Sequence, residues 1–385
     1  MNAVVRGIAA DVSFSPALLR IGWQDGDRSE FASLWLRDNS PVARDAQSGQ
    51  RLADVADLPA DVRIRNVSAS ADTLRIEWSD ETPPTSFEFK WLKAHAPGAM
   101  RRAPELQVSR WLEGATLDAK RDFAWLSLGE LHVDRPRRLA WLTRLVQEGI
   151  AFISEVPSQE LAILEAVAPL GLVADTNYGR VFDVRSVAQP ENLAYSDRGL
   201  GLHTDNPYRD PVPGFQALHC LVASPDGGEN VFADGFAIAE HLRETDLATF
   251  MTLTQTPVLF HYRSKDAELL SEKPLIQLSI RGEIRAVHYN NRSIAPLQLE
   301  AESVGTFYAA YRRFAELLRE PRFQMGTKLR DGDLVVFDNR RILHGRAGYS
   351  SARFARHLQG CYLTRDSVLS ETALLRRQLA QEARQ

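Results

Sequence analysis

A histidine and an aspartate lie two residues apart in the segment Leu200-Gly-Leu-His203-Thr-Asp205, and His344 lies far downstream. Side chains alternate between the two faces of a strand, so His203 and Asp205 would share one face if this segment is extended. Two histidines and one carboxylate that leave coordination positions open form the facial triad of non-haem Fe(II) oxygenases. The spacing therefore makes His203, Asp205 and His344 candidate ligands of an iron ion.

A His-x-Asp pair alone is a weak signal, because most such pairs are exposed or hydrogen-bonded to each other, and the chain has nine histidines. Other features favour a metal site. His344 follows a short apolar run at 334–337, which is expected to place it beyond a strand end. Arg356 lies twelve residues further on, where its guanidinium could bind a carboxylate through two hydrogen bonds. The glycine pair before Asn230 predicts a tight loop beside the metal.

The elements that must position these residues differ between the two ends of the chain. Near the N-terminus, apolar and polar residues alternate in short runs that predict strands at 19–23, 31–36, 62–65, 74–78 and 87–91. We therefore predict a small antiparallel β domain over 1–98 and a Pro- and Gly-containing linker over 99–120.

Residues 121–385 are predicted to form the second domain. Strands are predicted at 149–154, 216–222, 258–262, 276–280 and 334–337, and helices at 137–147, 161–170, 236–242, 304–318 and 366–384. Strands bounded by a few helices, without strict alternation of the two, favour a mainly β fold with helices, as in a barrel or jelly roll.

The composition excludes several classes of protein. The chain has 385 residues with 46 Lys+Arg against 50 Asp+Glu, a net charge of −4, which gives no basic surface for nucleic acid or an anionic membrane. Its two cysteines cannot build a disulfide framework. No apolar run approaches the ~18 residues of a membrane span, and no secretory signal pattern is present. We expect a cytoplasmic protein, with a homodimer as one open possibility.

Eight ordered motifs spread over nearly the whole chain resemble the γ-butyrobetaine hydroxylase family of Fe(II)- and 2-oxoglutarate-dependent dioxygenases. They are Leu34–Asn39, Trp91–His95, Asn192–Tyr195, His203–Asp205, Leu218–Cys220, Asp234–Phe236, Phe337–His344 and Arg356–Tyr362. The resemblance implies a double-stranded β-helix (jelly-roll) catalytic core behind a small N-terminal β domain. It also implies that His203, Asp205 and His344 bind iron and that Arg356 binds the distal carboxylate of 2-oxoglutarate. Hydroxylation with O2 would then release succinate and CO2.

The N-terminal domain departs from this family in one respect. Relatives often bind zinc through three cysteines after the first motif and a later histidine, but this chain has Ser40, Val42 and Asp45 at the cysteine positions. The matching His95 alone cannot form a structural zinc site, which needs four ligands. We therefore predict that no zinc is bound.

Aromatic residues near the motifs bear on the substrate. Most aromatic side chains simply pack in a core, but the family positions that match Tyr178, Phe182 and Tyr362 form a cage around a trimethylammonium group. Cation–π attraction suits that group, because a quaternary cation cannot donate ordinary hydrogen bonds. A small quaternary-amine molecule is therefore the predicted substrate.

The acidic end of the substrate would be bound by polar side chains. The family match supplies Asn192, Tyr195, Asn206, Asn290, Asn291 and Arg292. Arg292 is either a surface residue in a salt bridge or an additional pocket residue that would bind a more negatively charged substrate more strongly. The resemblance thus ranks 2-(trimethylammonio)ethylphosphonate slightly ahead of γ-butyrobetaine, with trimethyllysine third. The alternative of another class is a non-oxidative jelly-roll binding protein or a metal hydrolase.

Overall fold

A computed structural model of the chain describes residues 3–4, 9–97, 107–111, 117–185, 199–348 and 356–385. The chain divides into two compact units, 1–103 and 104–385. Among the described residues, no helix is both long enough and apolar enough to cross a membrane.

The first unit is built from two small antiparallel sheets. Its elements are β1 (Ala3–Val4), β2 (Ala9–Ser15), β3 (Leu18–Trp23), β4 (Arg28–Ala32), α1 (Ser33–Asp38), β5 (Ile64–Ala69), β6 (Thr73–Trp78), β7 (Thr85–Glu88) and α2 (Phe89–Ala94). One apolar cluster, which includes Trp23, Phe31 and Trp78, fills its interior. This agrees with the alternating pattern of the sequence.

Two of the predicted strands are wrong in their second halves, at 31–36 and at 87–91. The chain leaves β4 for α1 and leaves β7 for α2. Phe31 and Leu36 are both fully buried, although an odd separation would place them on opposite faces of one strand. The helical turn brings Leu36 back to the core, and Phe89 and Leu92 are buried three apart on α2 in the same way.

The second unit contains a six-stranded sheet in the order β10-β21-β12-β19-β9-β8 and a four-stranded sheet in the order β11-β20-β13-β18. The strands of the larger sheet are β8 (Ala124–Ser127), β9 (Ile150–Ser154), β10 (Phe182–Arg185), β12 (Phe215–Val222), β19 (Leu334–Asp338) and β21 (His357–Leu363). Those of the smaller sheet are β11 (Leu200–His203), β13 (Asn230–Asp234), β18 (Gln324–Thr327) and β20 (Ile342–Arg346). Two hairpins complete the unit, β14 (Pro257–Arg263) with β15 (Glu268–Pro274), and β16 (Ile276–Leu278) with β17 (Ile284–Val287).

Apolar side chains of the two sheets share one buried cluster. Phe232 of β13 meets Phe337 of β19 edge to face, with ring centroids 5.5 Å apart. Two sheets packed in this way, antiparallel except for the parallel pair β8 and β9 at one edge of the larger sheet, form a jelly-roll core, so the predicted fold is confirmed.

Helices surround this core. They are α3 (Ala119–Asp122), α4 (Leu128–Val133), α5 (Arg135–Glu148), α6 (Ala162–Val167), α7 (Gly235–Thr245), α8 (Leu247–Gln255), α9 (Ala301–Arg319) and α10 (Arg365–Glu382). One apolar cluster joins α5, α6 and α10 to the larger sheet, and a second joins α7, α8 and α9. The five helices predicted in this unit are all present, although α6 is shorter than its apolar run suggested.

The predicted linker at 99–120 lies partly outside the described residues. Its described part belongs to the second unit, because Trp111 is buried and packs against Phe123 with ring centroids 5.1 Å apart. The indole of Trp111 also donates to the carbonyl of Glu148 at 2.9 Å.

Candidate functional site

His203 and His344 lie opposite each other on neighbouring antiparallel strands. His203 ends β11, His344 is in the middle of β20, and the two are paired in the register. Their ring centroids are 4.3 Å apart. His344 lies beyond the end of β19, as expected, but it is part of a strand that was not predicted, because the chain turns after β19 and starts β20 before it reaches this residue.

Asp205 joins the pair from outside the strand. The prediction that His203 and Asp205 share one strand face was wrong, since β11 ends at His203. The carboxylate still reaches the histidines: Oδ1 is 3.2 Å from Nε2 of His203, and Oδ2 is 3.9 Å from Nε2 of His344. Buried Asn339 fixes this loop through hydrogen bonds to the backbone of Asp205.

The chemistry of these three side chains fits a metal ion. Their ligand atoms lie within 4.8 Å of one another. Nδ1 of His203 lies 2.9 Å from the carbonyl oxygen of Gly201, an arrangement that orients metal-binding histidines in other proteins. Burial lowers the pKa of His344 to about 3, so this ring stays neutral and can act as a ligand. Burial works against the charge of Asp205, but His344, His203 and Tyr362 outweigh it and hold its pKa well below the usual range.

A cavity of about 390 Å³ opens beside the three residues. The predicted residues that line it, besides the triad, are Tyr178, Phe182, Asn206, Asn230, Asn290, Arg292, Arg356 and Tyr362. Strands that are far apart along the chain, β10, β13 and β21, therefore contribute side chains to one cavity, as the predicted site requires.

One end of the cavity contains Arg356 and Asn230. The Arg356 guanidinium is buried and donates to Oδ1 of Asn230 at 3.1 Å. Gly228 lies against it with φ +73°, and a Cβ at that position would lie 3.1 Å from Cδ of Arg356. The predicted tight loop thus forms, but it packs on the arginine. Apolar Leu218 and Leu358 also line the cavity.

Aromatic rings line another part of the cavity. The Phe182 ring lies 6.4 Å from that of Tyr178 and 5.1 Å from that of Tyr362, centroid to centroid. Tyr208 and Tyr262 add a stacked pair at 4.9 Å. We call these five residues the aromatic wall. Tyr208 and Tyr262 were missed from the sequence, although Tyr208 follows the His-Thr-Asp motif by three residues.

The remaining predicted residues are placed differently. Asn291 does not line the cavity, and its side-chain oxygen accepts a hydrogen bond from Tyr311 at 3.1 Å, so its assignment to the pocket is corrected. The turn that carries Asn290 and Arg292 into the cavity directs the residue between them away. Asn192 and Tyr195 lie outside the described residues.

Polar residues that the sequence did not single out also line the cavity, namely Gln216, His261, Arg263 and Arg346. The backbone pairing of β14 with the segment after Arg292 explains two of them. His261 donates its N–H to the carbonyl of Ser293 at 2.7 Å, and Phe260 pairs with Ile294. This long-range pairing brings β14 beside the segment that carries Arg292, and no local motif signals it.

In the N-terminal unit, the positions compared with zinc ligands make other contacts. Oγ of Ser40 lies 2.8 Å from Oγ1 of Thr85, and the His95 ring stacks on Trp91 at 4.2 Å. The absence of zinc stays a prediction.

Comparisons with known proteins identify the family of the chain. The family described as taurine catabolism dioxygenase TauD, TfdA matches residues 118–362, and the γ-butyrobetaine hydroxylase-like N-terminal family matches 12–93. A γ-butyrobetaine dioxygenase from Pseudomonas sp. (strain AK-1) is 35% identical, with 97% of each chain covered. The human γ-butyrobetaine dioxygenase is 27% identical, over 94% of this chain and 95% of the relative.

A trimethyllysine dioxygenase from Meyerozyma guilliermondii is 26% identical, over 94% of both chains. Among solved structures, a taurine dioxygenase from Burkholderia xenovorans is 17% identical with a TM-score of 0.47, over 59% of this chain and 81% of that one. The chain belongs to the TauD/TfdA dioxygenase family and is an Fe(II)- and 2-oxoglutarate-dependent dioxygenase.

Proposed function

We propose that this protein hydroxylates a small zwitterion that carries a trimethylammonium group, with His203, Asp205 and His344 as the iron ligands. The observation that carries this proposal is the aromatic wall, which borders the same cavity as the triad. The family relatives named for γ-butyrobetaine and trimethyllysine support it, since both compounds contain a trimethylammonium group.

The aromatic wall would bind the cationic end. The Phe182 ring lies next to the rings of both Tyr178 and Tyr362, and ring faces attract a quaternary cation without needing a hydrogen bond. Burial also raises the pKa of Tyr208 to about 12, so its hydroxyl stays uncharged at neutral pH.

Arg356 would bind the distal carboxylate of 2-oxoglutarate, and Asn230 would hold the guanidinium in place. Hydroxylation with O2 and 2-oxoglutarate, releasing succinate and CO2, is the chemistry that iron supplies when it is bound to the triad. The protein's part is to hold the substrate beside the triad and to keep bulk water away from a cavity whose triad residues are largely buried.

Arg292 would bind the acidic end of the substrate. Its side chain lines the cavity, and Arg292 is exposed, as the surface alternative expects, but it forms no ion pair with a carboxylate of the described residues, so the salt bridge of that alternative gains no support. Besides Arg356, which is assigned to 2-oxoglutarate, the described residues that line the cavity include Arg263 and Arg292, against one carboxylate, that of Asp205. This excess of positive charge suits a phosphonate better than a carboxylate, so we keep 2-(trimethylammonio)ethylphosphonate ahead of γ-butyrobetaine, and trimethyllysine third.

A substrate panel tests the proposal. The Fe(II)-loaded enzyme is given 2-oxoglutarate with each of the three compounds, and succinate and hydroxylated product are measured. We expect product from at least one of them, with the phosphonate preferred. Succinate release that none of the three stimulates above the uncoupled background would contradict the proposed substrate class.

The role of Arg292 is tested by Arg292→Gln. Losing a charged hydrogen-bond donor, worth ~1.5–3 kcal/mol, should lower kcat/KM for the phosphonate by about 10- to 100-fold. Arg285→Gln is the matched control, because Arg285 is exposed and paired with Glu283 away from the cavity. If Arg292→Gln left phosphonate turnover unchanged, the preference for that substrate would be wrong.

We further propose a cytoplasmic protein that forms a homodimer. Both cysteines, Cys220 and Cys361, are buried free thiols, as is usual in a reducing compartment. Light scattering coupled to size exclusion would measure the mass directly, and a monomeric mass at micromolar concentration would contradict the dimer.

A further inference from the structure

A continuous chain of hydrogen bonds links the aromatic wall to the triad. Tyr178 and Tyr208 join their hydroxyls at 2.9 Å, and Tyr208 donates to Oδ1 of Asn206 at 2.7 Å. Nδ2 of Asn206 lies 3.2 Å from the hydroxyl of Tyr362, which lies 2.8 Å from Oδ2 of Asp205. Asn206 is the one side-chain amide in this series of hydrogen bonds, and it lies at the centre of the series.

The direction of every hydrogen bond in this series follows from the charge of Asp205. An ionised Asp205 can only accept, so the hydroxyl of Tyr362 donates to it. Asn206 must then present its NH2 group to Tyr362, which turns its oxygen toward Tyr208. The hydroxyl of Tyr208 donates its proton to that oxygen, so in the bond between the two tyrosines Tyr178 must be the donor.

The surroundings favour this arrangement. Asn206, Tyr208 and Tyr362 are all no more than 6% exposed, so water competes little for their hydrogen bonds. Asn206 has φ +54°, in the left-handed region that asparagine adopts more readily than most residues. Asparagine is thus able both to adopt the turn and to supply a donor and an acceptor.

We propose that Asn206 is a positioning residue for the metal site: it fixes Tyr362 as a donor to Asp205 and couples the aromatic wall to this ligand. Oδ2 is then engaged by Tyr362, and Oδ1 is left for the metal, beside Nε2 of His203. A carboxylate held in this way binds through one oxygen and leaves coordination positions open. The inference rests on the proposed role of Asp205, but not on the identity of the substrate.

The test is the affinity of the metal-free protein for Mn(II), measured by the EPR signal of the free ion. Asn206→Gly removes the amide without strain at a positive φ. We expect it to weaken Mn(II) binding by about 10-fold, and Tyr362→Phe to weaken it by about 10- to 100-fold, the usual range for partners of metal ligands. Because both act through one hydrogen bond, the double variant should bind no more weakly than Tyr362→Phe alone.

Asn291→Ala is the matched control, since it removes an asparagine amide outside the cavity and should leave Mn(II) affinity unchanged. Asn206→Ala repeats the test if the glycine variant does not fold, as judged by circular dichroism. Folded variants of Asn206 that bind Mn(II) as the parent does, or effects that multiply in the double variant, would overturn the inference. Absence of turnover in the substrate panel would reject the proposed function alone, because Mn(II) binding needs no substrate.

Discussion

The side-chain amide of Asn339 forms hydrogen bonds with both the backbone N–H and the backbone carbonyl of Asp205. Its Oδ1 accepts the N–H of Asp205 at 2.7 Å, and its Nδ2 donates to the carbonyl of Asp205 at 3.0 Å. Nδ2 also lies 3.2 Å from the carbonyl of Pro213, and Asn339 is fully buried. The turn between β19 and β20 thereby fixes the loop that carries the carboxylate, which no strand supports.

Replacing Asn339 should therefore act on the metal site through Asp205. We expect Asn339→Ala to weaken Mn(II) binding by about 10- to 100-fold, as for other residues that orient metal ligands. The free energy of unfolding should also fall by about 1–3 kcal/mol, because buried backbone groups lose their hydrogen-bond partner. Equal Mn(II) affinity in the variant and the parent would show that the loop holds its shape without Asn339.

Arg356 should control 2-oxoglutarate and leave metal binding intact. Arg356→Ala is expected to raise KM for 2-oxoglutarate by at least about 10-fold, since a charged hydrogen bond is worth ~1.5–3 kcal/mol. Asn230→Ala should have a smaller effect of the same kind, because Asn230 only orients the guanidinium. Steady-state kinetics with varied 2-oxoglutarate, together with Mn(II) titration, measure both quantities. A large loss of Mn(II) affinity in Arg356→Ala would contradict this division of roles.

The type of fold and two of the three triad residues left a local signal in the sequence, whereas the assignment of His344 also depended on the family resemblance. Alternating apolar residues indicated strands, and His203 with Asp205 formed a short motif. The support of Asp205 by Asn339 could not be inferred, because it joins residues 134 apart along the chain through a turn. For the same reason the entry of Tyr262 and Arg263 into the cavity depends on the pairing of β14 with a distant segment. The wrong strand ends at 31–36 and 87–91 have a different origin, because an apolar pattern of a few residues does not separate a strand from a short helix.

A buried ion pair in the second unit should be costly to break. Arg341 donates to both oxygens of Asp234, at 3.0 and 2.6 Å, and the two side chains are 2% and 1% exposed. The guanidinium also donates to the carbonyls of Gln147 and Ser109, each at 2.7 Å. Every charge is thus compensated, so removing one partner leaves the other buried and unpaired.

We therefore expect Arg341→Met to lower the free energy of unfolding by about 3–5 kcal/mol, measured by urea denaturation. Glu382→Gln is the control, because it removes the pair of Glu382 with Arg135, whose side chains are 55% and 36% exposed. An exposed pair contributes ~0–1 kcal/mol. Similar losses in the free energy of unfolding for the two variants would show that breaking the buried pair is no more destabilising than breaking the exposed one.

His219 should make the protein less stable in mild acid. It lies fully buried in β12, where the polar contact of its ring among the described residues is a poorly aligned one to the backbone of Val156, too weak to offset the burial. Burial lowers the pKa of His219 from 6.5 to about 4. Above pH 6.5 the ring is neutral in both states, so pH has no effect through it. Between pH 6.5 and 4 the unfolded chain takes up a proton that the folded protein does not, so the free energy of unfolding falls by ~1.4 kcal/mol per pH unit.

The loss should reach about 3 kcal/mol near pH 4 and then stay constant. His219→Leu, of similar volume, removes this contribution together with the buried polar ring. Urea denaturation at pH 7.5 and pH 4.5 should show the variant as stable as the parent or more so at pH 7.5, with a clearly larger advantage at pH 4.5. An advantage that is the same at both pH values would mean that the folded protein protonates His219 as readily as the unfolded chain does.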